Sequence, residues 1–236
     1  IEGIEPAGIR KVAMLGGGVM GSGIVNLLLK SGCEAILWDI NEAAIEKGVA
    51  SVRKTFAFPI KKRKMKQADL ESMLEKQLRT TTELKDLDGV DLVIEAVVED
   101  MDIKQNIWKT LEGICPTHTV FATNTSALPI TEMASALSEP GRMMGLHFFN
   151  PAHRMMLLEI ICAEQTSNQT LDTSVAFGRQ IKKIPIVVND GPGFYVSRQL
   201  GGLMGGAVYL TADGVDGSAV EQAMLNFGMP MGPATL

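Results

Sequence analysis

A histidine and a glutamate twelve residues apart carry the clearest acid–base potential in this 236-residue sequence. His147 ends an apolar run, 143–147, that predicts a strand, and Glu159 lies in the next apolar run, 157–161. A histidine titrates near neutral pH, so at a strand end it can take a proton from a substrate hydroxyl. A carboxylate among apolar residues needs a partner, because a buried unpaired charge is costly. We therefore predict that Glu159 fixes the tautomer of His147 and stabilises its protonated form.

A glycine-rich loop near the start of the chain predicts a phosphate-binding turn. Residues 16–21 read Gly-Gly-Gly-Val-Met-Gly and lie between a predicted strand, 11–15, and a predicted helix, 19–30. Gly16 permits the tight turn, Gly18 lets the backbone approach a pyrophosphate, and Gly21 allows close packing of the helix on the strand. Asp39, 21 residues after Gly18, is placed to accept hydrogen bonds from an adenosine ribose, which favours NAD over NADP. The alternative is a structural turn with Asp39 as a cap.

These residues are set in an alternation of short apolar runs and longer helical stretches. The alternation predicts an α/β fold with a doubly wound, mostly parallel sheet of the Rossmann type. Asn41 is a candidate N-cap for the second helix. The predicted strands are 11–15, 35–38, 91–98, 120–122, 143–147, 157–161 and 184–188, and the predicted helices are 19–30, 42–55, 102–114 and 128–137.

Two segments depart from this alternation. Residues 56–80 are polar and helical in pattern, and they predict a helical insertion that contains five cations in 61–66. After the Asp-Gly-Pro-Gly turn at 190–193, the pattern is helical only, over 194–210 and 218–227. We therefore predict an NAD-binding domain over 1–189 and the start of an all-helical second domain over 190–236. Because the sequence begins without Met and stops after a turn-like segment, we expect it to be part of a longer protein.

Composition excludes several classes of function. The net charge is −5, with 22 Lys and Arg against 27 Asp and Glu, which argues against a general nucleic-acid binder. No apolar stretch reaches the roughly 18 residues that span a bilayer. Cys33, Cys115 and Cys162 have neither disulfide-framework nor zinc-site spacing, so we predict buried thiols and no metal. His118 and His153 lack the neighbours that favour chemistry, and we predict surface or structural roles for both.

The remaining motifs resemble those of a known family. They are Val-Ile-Glu-Ala-Val-Val-Glu at 93–99, Asn-Thr-Ser at 124–126, His-Phe-Phe-Asn-Pro at 147–151 and Asp-Gly-Pro-Gly-Phe at 190–194. The sequence from about residue 11 to its end resembles the L-3-hydroxyacyl-CoA dehydrogenases of fatty-acid β-oxidation. It looks most like the dehydrogenase part of multifunctional β-oxidation proteins, of the fatty oxidation complex alpha subunit type.

The resemblance implies specific roles for individual residues. It implies that His147 and Glu159 form the catalytic pair, and that Ser126 contacts both substrate and cofactor. Ser126 has a second interpretation, as the N-cap of the helix at 128–137. The resemblance also implies cofactor contacts from Met20, Val97, Val98, Glu99, Lys104, Ser126 and Asn150. The alternative for Lys104 is a solvated charge on a helix.

One position departs from the family pattern. Ser197 stands where the family often carries an asparagine near the substrate thioester, so the resemblance implies a shorter hydrogen-bonding substrate contact there. The cations at 61–66 have two interpretations, a solvated helix face or a contact to the phosphates of coenzyme A.

By this resemblance the chain oxidises L-3-hydroxyacyl-CoA to 3-oxoacyl-CoA with NAD. The resemblance also implies that the helical segment over 190–236 begins a domain for substrate binding and dimerisation. Two alternatives stay open: a dehydrogenase of small non-CoA hydroxy acids on the same scaffold, or an NAD-binding fragment with little turnover. The expected partners are acyl-CoA and, through further parts of the protein, a homo-oligomer or a multienzyme complex, with no nucleic acid and no integral membrane segment. The expected location is the cytoplasm of a bacterium or archaeon, or the mitochondrial matrix or peroxisome of a eukaryote.

Overall fold

The computed structural model describes residues 8–235, which form two compact units. The first unit extends to Gly191 and the second begins at Pro192. That residues 1–189 and 190–236 are two domains with the predicted roles stays a prediction.

The first unit is built on one eight-stranded sheet with the strand order β3-β2-β1-β4-β5-β6-β7-β8. All neighbouring strands are parallel except β6 and β7, which are antiparallel. The strands are β1 Lys11–Leu15, β2 Glu34–Trp38, β3 Leu78–Thr81, β4 Leu92–Glu95, β5 Val120–Thr123, β6 Met143–Phe148, β7 Leu157–Cys162 and β8 Ile184–Asn189. The predicted α/β class with a doubly wound, mostly parallel sheet is therefore confirmed.

Helices connect these strands and cover the sheet. In the first unit they are α1 Val19–Lys30, α2 Glu42–Thr55, α3 Ala57–Lys61, α4 Gln67–Gln77, α5 Met101–Glu112, α6 Ile130–Ala134 and α7 Asn168–Gln180. The core is continuous across β1, β2, β4 and α1, because parallel strands covered by helices are buried along their whole length. Helix α1 is apolar on most sides, and nine of its twelve residues are buried.

Local sequence explains several helix boundaries. Asn41 accepts a hydrogen bond from the backbone N–H of Ala44, so the predicted N-cap of α2 is confirmed. Asp100 caps α5 in the same way, through the backbone N–H of Ile103. In the second unit, helix α8 Val196–Ala212 is followed by α9 Gly217–Phe227. Helix α9 ends at Gly228, whose φ of 112° is a conformation that glycine adopts without strain.

The structure corrects three details of the sequence prediction. Residues 78–81 are not helical but form β3, an edge strand that pairs with β2. The fourth strand ends at Glu95 and does not continue to residue 98. The helix predicted over 128–137 is only the five-residue α6, and its N-cap is Pro129, so Ser126 is not a helix cap.

Candidate active site

The glycine loop lies at the carboxyl end of β1, between the ends of β2 and β4. Gly16 has φ +94°, and a Cβ at this position would lie 2.7 Å from the carbonyl oxygen of Ala96. The backbone N–H of Gly16 donates to the carbonyl of Trp38 at the end of β2. The loop is therefore held between two strand ends, at the point where an open α/β sheet binds its ligand.

The start of α1 has the features of a pyrophosphate site. A Cβ on Gly21 would lie 1.8 Å from the carbonyl oxygen of Gly16, so the helix closes directly onto the loop. Gly18 is exposed, and a Cβ there would meet no atom within 4 Å, which leaves space outside the backbone for a ligand. The first turn carries no acidic residue and no side-chain cap, so its N–H groups and partial positive charge face outward. These residues fit a dinucleotide phosphate.

The carboxylate of Asp39 is tied to this loop. Its Oδ2 accepts from the backbone N–H of Gly17 at 2.9 Å, and its Oδ1 accepts from the N–H of Ile40 at 2.8 Å. A carboxylate has about four acceptor positions, so these bonds leave capacity for ribose hydroxyls. Asp39 can therefore hold the loop and a ribose together.

A buried ion pair supports the loop that follows β4. Lys104 and Glu95 are both fully buried, and Nζ of Lys104 lies 2.6 Å from Oε1 of Glu95. The same carboxylate accepts from the backbone N–H of Val97 and from the hydroxyl of Thr123. The solvated-charge interpretation of Lys104 is therefore wrong, because its charge is neutralised inside the protein.

The network continues from Lys104 to the turn after β5. Nζ of Lys104 lies 3.1 Å from Oε2 of Glu99, whose Oε1 accepts from the hydroxyl of Thr125 and the backbone N–H of Ser126. Burial acts to raise the pKa of Glu99, but the bond from Thr125 and the charge of Lys104 outweigh it and hold that pKa below its usual value. Glu99 is thus a carboxylate that fixes the backbone beside the exposed Ser126.

The sheet register brings His147 and Glu159 face to face. They are directly opposed residues of the antiparallel strands β6 and β7, and Nδ1 of His147 lies 2.6 Å from Oε2 of Glu159. Glu159 is fully buried and His147 is 7% exposed, with the ring of Phe149 at 4.6 Å. Since Nδ1 faces the carboxylate, the tautomer inferred from this contact leaves Nε2 to accept a proton.

The other predicted site residues of the first unit lie around the same sheet edge. Met20 is half-buried in the first turn of α1, whereas Val97 and Val98 follow β4, with Val98 exposed. Asn150 is exposed and joined to Pro151 by a cis peptide bond. Ser197 is exposed in the first turn of α8, in the second unit.

Sequence reasoning missed two residues that shape this edge. Glu95 has the same signal that identified Glu159, a carboxylate inside an apolar run, yet it was not assigned a role. Oδ1 of Asn124 accepts from the backbone N–H of Phe148 at 2.9 Å and so joins the ends of β5 and β6 next to His147. Its position directly after a strand was the only signal available.

Within residues 8–235, no three His, Cys, Asp or Glu side chains are placed to hold a metal ion. In that same part of the chain, no helix combines the length and apolar character needed to cross a bilayer.

Two family models match the chain. Residues 11–191 match the NAD binding domain of 3-hydroxyacyl-CoA dehydrogenase, and residues 193–236 match the C-terminal domain of the same enzyme. The chain belongs to the 3-hydroxyacyl-CoA dehydrogenase family. The resemblance inferred from the sequence motifs is confirmed, and with it the NAD-binding domain.

Individual relatives agree with this assignment. The chain is 41% identical over 234 residues to the fatty acid oxidation complex subunit alpha of Shewanella halifaxensis. The matching region covers 99% of this chain and 33% of that relative. The chain thus spans about a third of the length of the curated relatives it matches.

Solved structures of the family have the same fold. The (S)-3-hydroxybutyryl-CoA dehydrogenase of Ralstonia eutropha is 37% identical, with a TM-score of 0.91 over 96% of this chain and 80% of that one. A 5-formyl-3-hydroxy-2-methylpyridine 4-carboxylic acid 5-dehydrogenase, described as an NAD+-dependent dismutase, is 32% identical, with a TM-score of 0.77 over 89% of this chain and 67% of that one.

Proposed function

We propose that the chain carries the dehydrogenase centre of an NAD-dependent L-3-hydroxyacyl-CoA dehydrogenase, which converts the 3-hydroxyl group to a ketone in fatty-acid β-oxidation. The observation that carries the proposal is the buried His147–Glu159 pair at the sheet edge that also holds the glycine loop. Alcohol oxidation needs removal of a hydroxyl proton and acceptance of a hydride, and bound NAD supplies the hydride acceptor.

His147 acts as the general base through Nε2. The hydroxyl proton moves to Nε2 while Nδ1 stays hydrogen-bonded to Glu159, so the forming imidazolium lies 2.6 Å from a carboxylate oxygen. Because Glu159 is fully buried, water screens this attraction little. Ser126 donates its hydroxyl near the reacting oxygen, held by the backbone bond to Glu99.

The residues that would hold the cofactor lie along the edge from β2 to β6. In this proposal Gly16, Gly18 and Gly21 form the pyrophosphate turn, and Asp39 binds the adenosine ribose. The further contacts come from Met20, Val97, Val98, Glu99 and Asn150. Lys104 acts on the cofactor through Glu99, because its ammonium group is paired with two carboxylates.

The cations of the helical insertion and Ser197 are the residues proposed for acyl-CoA recognition. Lys61, Lys62, Arg63 and Lys64 are all exposed, which fits either a solvated face or a contact with phosphates. If they meet phosphates, Lys61→Glu with Lys62→Glu raises KM for acyl-CoA, and more strongly at low salt. Equal KM values at both ionic strengths would remove this part of the proposal. Ser197 in the second unit remains the proposed contact to the thioester carbonyl.

The test compares two histidine substitutions in the complete protein. His147→Gln should reduce kcat for L-3-hydroxybutyryl-CoA by several orders of magnitude while NADH still binds. His118→Gln is the matched control, because the His118 side chain is 60% exposed, and it should leave kcat within twofold. Near-normal turnover of the His147 variant would refute the assignment.

A second candidate is a dehydrogenase of a non-CoA hydroxy acid. The resemblance to the pyridine carboxylic acid dehydrogenase favours it, since that protein combines this fold with a substrate named without coenzyme A. Comparing kcat/KM for 3-hydroxybutyryl-CoA and free 3-hydroxybutyrate decides between the two. Binding of NADH without turnover of either would indicate a fragment that binds NAD but does little chemistry.

Assembly and location stay predictions. The relatives are subunits of a complex, and we propose that this chain also acts within a homo-oligomer or a multienzyme complex. A cytoplasmic location is proposed on the ground that these relatives are bacterial.

A further inference from the structure

A second concave site in the first unit is lined by an unusual concentration of basic side chains. A cavity of about 290 Å³ lies between the end of α1, the segment after Pro151 and the turn before β8. Its floor includes the buried Leu27 and Ile181. Its basic lining residues are Lys30, His153, Arg154, Lys182 and Lys183. The volume is near the lower end of the range for small-molecule sites, about 300–1,000 Å³.

These basic side chains are not paired with carboxylates. Across residues 8–235, none of the five forms an ion pair, and no acidic residue lines the cavity. The chain as a whole is acidic, with a net charge of −5, so composition alone does not produce the cluster. Burial lowers the pKa of His153, and the charges of Arg154, Lys30 and Lys183 lower it further. Arg154, Lys30 and Lys183 therefore lie close enough to His153 to keep its imidazole neutral at pH 7.

The negative partial charges of two helix ends offset only part of this positive charge. The cavity lies at the carboxyl ends of α1 and α7, and each end carries a partial charge of about −0.5. Lys30 in the last turn of α1 and Lys182 just after α7 are enough to offset both. The charges of Arg154 and Lys183 remain in excess.

One of the lysines is held by the fold. Lys183 is 7% exposed, and its Nζ donates to the carbonyls of Ala152, at 2.5 Å, and Met155. Burial lowers its pKa to about 8, so it is still mostly charged at pH 7. Lys182 has φ +61°, the left-handed conformation that commonly ends a helix, and its side chain is exposed. The charge of Lys183 is thus fixed in place before any ligand arrives.

We propose that this cavity is an anion site that binds a phosphate group. Arg154 and Lys182 are exposed at the rim and supply mobile donors, while Lys183 fixes positive charge at the wall. The exposed Met156 beside them offers an apolar surface for whatever carries the phosphate. The phosphate belongs either to a nucleotide, such as the adenosine 3′,5′-bisphosphate part of a coenzyme, or to free phosphate.

The test is titration of the complete protein with inorganic phosphate at pH 7 and constant ionic strength, followed by ³¹P line broadening. We expect saturable binding with a Kd on the order of 1 mM. Arg154→Glu with Lys182→Glu should weaken it by about tenfold or more, because each reversal removes a charge-assisted hydrogen bond. The milder Arg154→Gln with Lys182→Gln should act in the same direction.

Lys47→Glu with Lys109→Glu is the matched control, since both lysines are exposed and lie outside the cavity, and it should leave Kd within twofold. No saturable binding, or an unchanged Kd in the Arg154 and Lys182 variants, would overturn the proposal; the second result would place phosphate elsewhere, for example at the glycine loop.

Adenosine 3′,5′-bisphosphate is the second probe. Binding at least tenfold tighter than that of phosphate, and lost in the same variants, identifies a nucleotide as the source, whereas equal affinities identify free phosphate.

Discussion

Replacing Glu159 by glutamine removes the negative charge beside His147 but keeps a side chain of nearly the same shape. The amide oxygen of glutamine still accepts from Nδ1, so the tautomer with an unprotonated Nε2 is preserved. What the substitution removes is the carboxylate that faces the imidazolium once the proton has been transferred. Glu159→Gln therefore tests charge stabilisation separately from orientation.

The size of the effect follows from the geometry of the pair. With Nδ1 and Oε2 2.6 Å apart, the centres of the two charges are about 4 Å apart, which corresponds to about 4 kcal/mol at an effective dielectric constant of about 20. The amide dipole of glutamine retains part of this attraction. We expect a loss of about 2–4 kcal/mol of transition-state stabilisation, or about 30- to 1,000-fold in kcat.

The assay follows NADH formation from L-3-hydroxybutyryl-CoA by the complete protein, with NADH affinity measured separately by fluorescence. NADH affinity should be unchanged within twofold, because Glu159 contacts the base and not the proposed cofactor site. Glu164→Gln is the matched control, since Glu164 is an exposed carboxylate just after β7. Thermal unfolding of both variants checks that they are folded.

A kcat within threefold of the parent, in a folded variant, would refute the reasoning, because the imidazolium would then need no buried carboxylate. Glu159→Leu provides a second measurement. It removes the acceptor as well as the charge, so it should be slower than the glutamine variant. Equal rates for the two would mean that the hydrogen bond contributes nothing to orientation.

Other predictions concern the supporting residues. Lys104→Met should lower the free energy of unfolding in urea by about 3–5 kcal/mol, because it leaves a buried carboxylate without its cation, whereas Lys109→Met on the exposed face of α5 should change it by less than about 0.5 kcal/mol. Gly21→Ala should weaken NADH binding at least tenfold in a calorimetric titration, since its Cβ would lie 1.8 Å from the Gly16 carbonyl oxygen; unchanged affinity would contradict the proposed turn. The pKa of Glu99 is held below its usual value, so its stabilising contribution is complete above about pH 5 and disappears as the pH falls through the lowered folded pKa. Glu99→Gln should therefore be less stable than the parent at pH 7, and the two should converge in acid; a constant difference in urea midpoints down to pH 2 would contradict this.

The sequence was informative wherever a local pattern and its structural consequence coincide. The cap at Asn41 depends on a side chain and a backbone N–H three residues away, so it could be inferred without tertiary structure. The pairing of His147 with Glu159 was also accessible, because a carboxylate in an apolar strand requires a partner. What the sequence did not show was the register that makes them directly opposed residues of antiparallel strands.

The sequence predictions were wrong where tertiary contacts decide the local structure. Strand β3 has the sequence Leu-Arg-Thr-Thr, and its strand conformation comes from pairing with β2 at the edge of the sheet. The apolar run at 91–98 predicts one strand, but the chain leaves the sheet after Glu95, where Val97 donates its N–H back to the Glu95 carboxylate. Lys104 looks solvated in sequence because its partners are five and nine residues away and the nearer one lies in a turn.

Two carboxylates buried in this sheet, those of Glu95 and Glu159, have different roles: the first fixes loops and the second faces the proposed base. Glu95 and Glu159 are both fully buried, and each has a carboxylate oxygen 2.6 Å from a nitrogen of a basic side chain. No proton moves to or from Lys104 in the proposed reaction, so the Glu95–Lys104 pair is unchanged throughout and serves to fix two loops. Histidine acquires its charge only when it takes a proton, so the Glu159–His147 pair becomes an ion pair during proton transfer. A carboxylate whose partner becomes charged during the reaction stabilises the transition state more than the ground state, which is the requirement for catalysis.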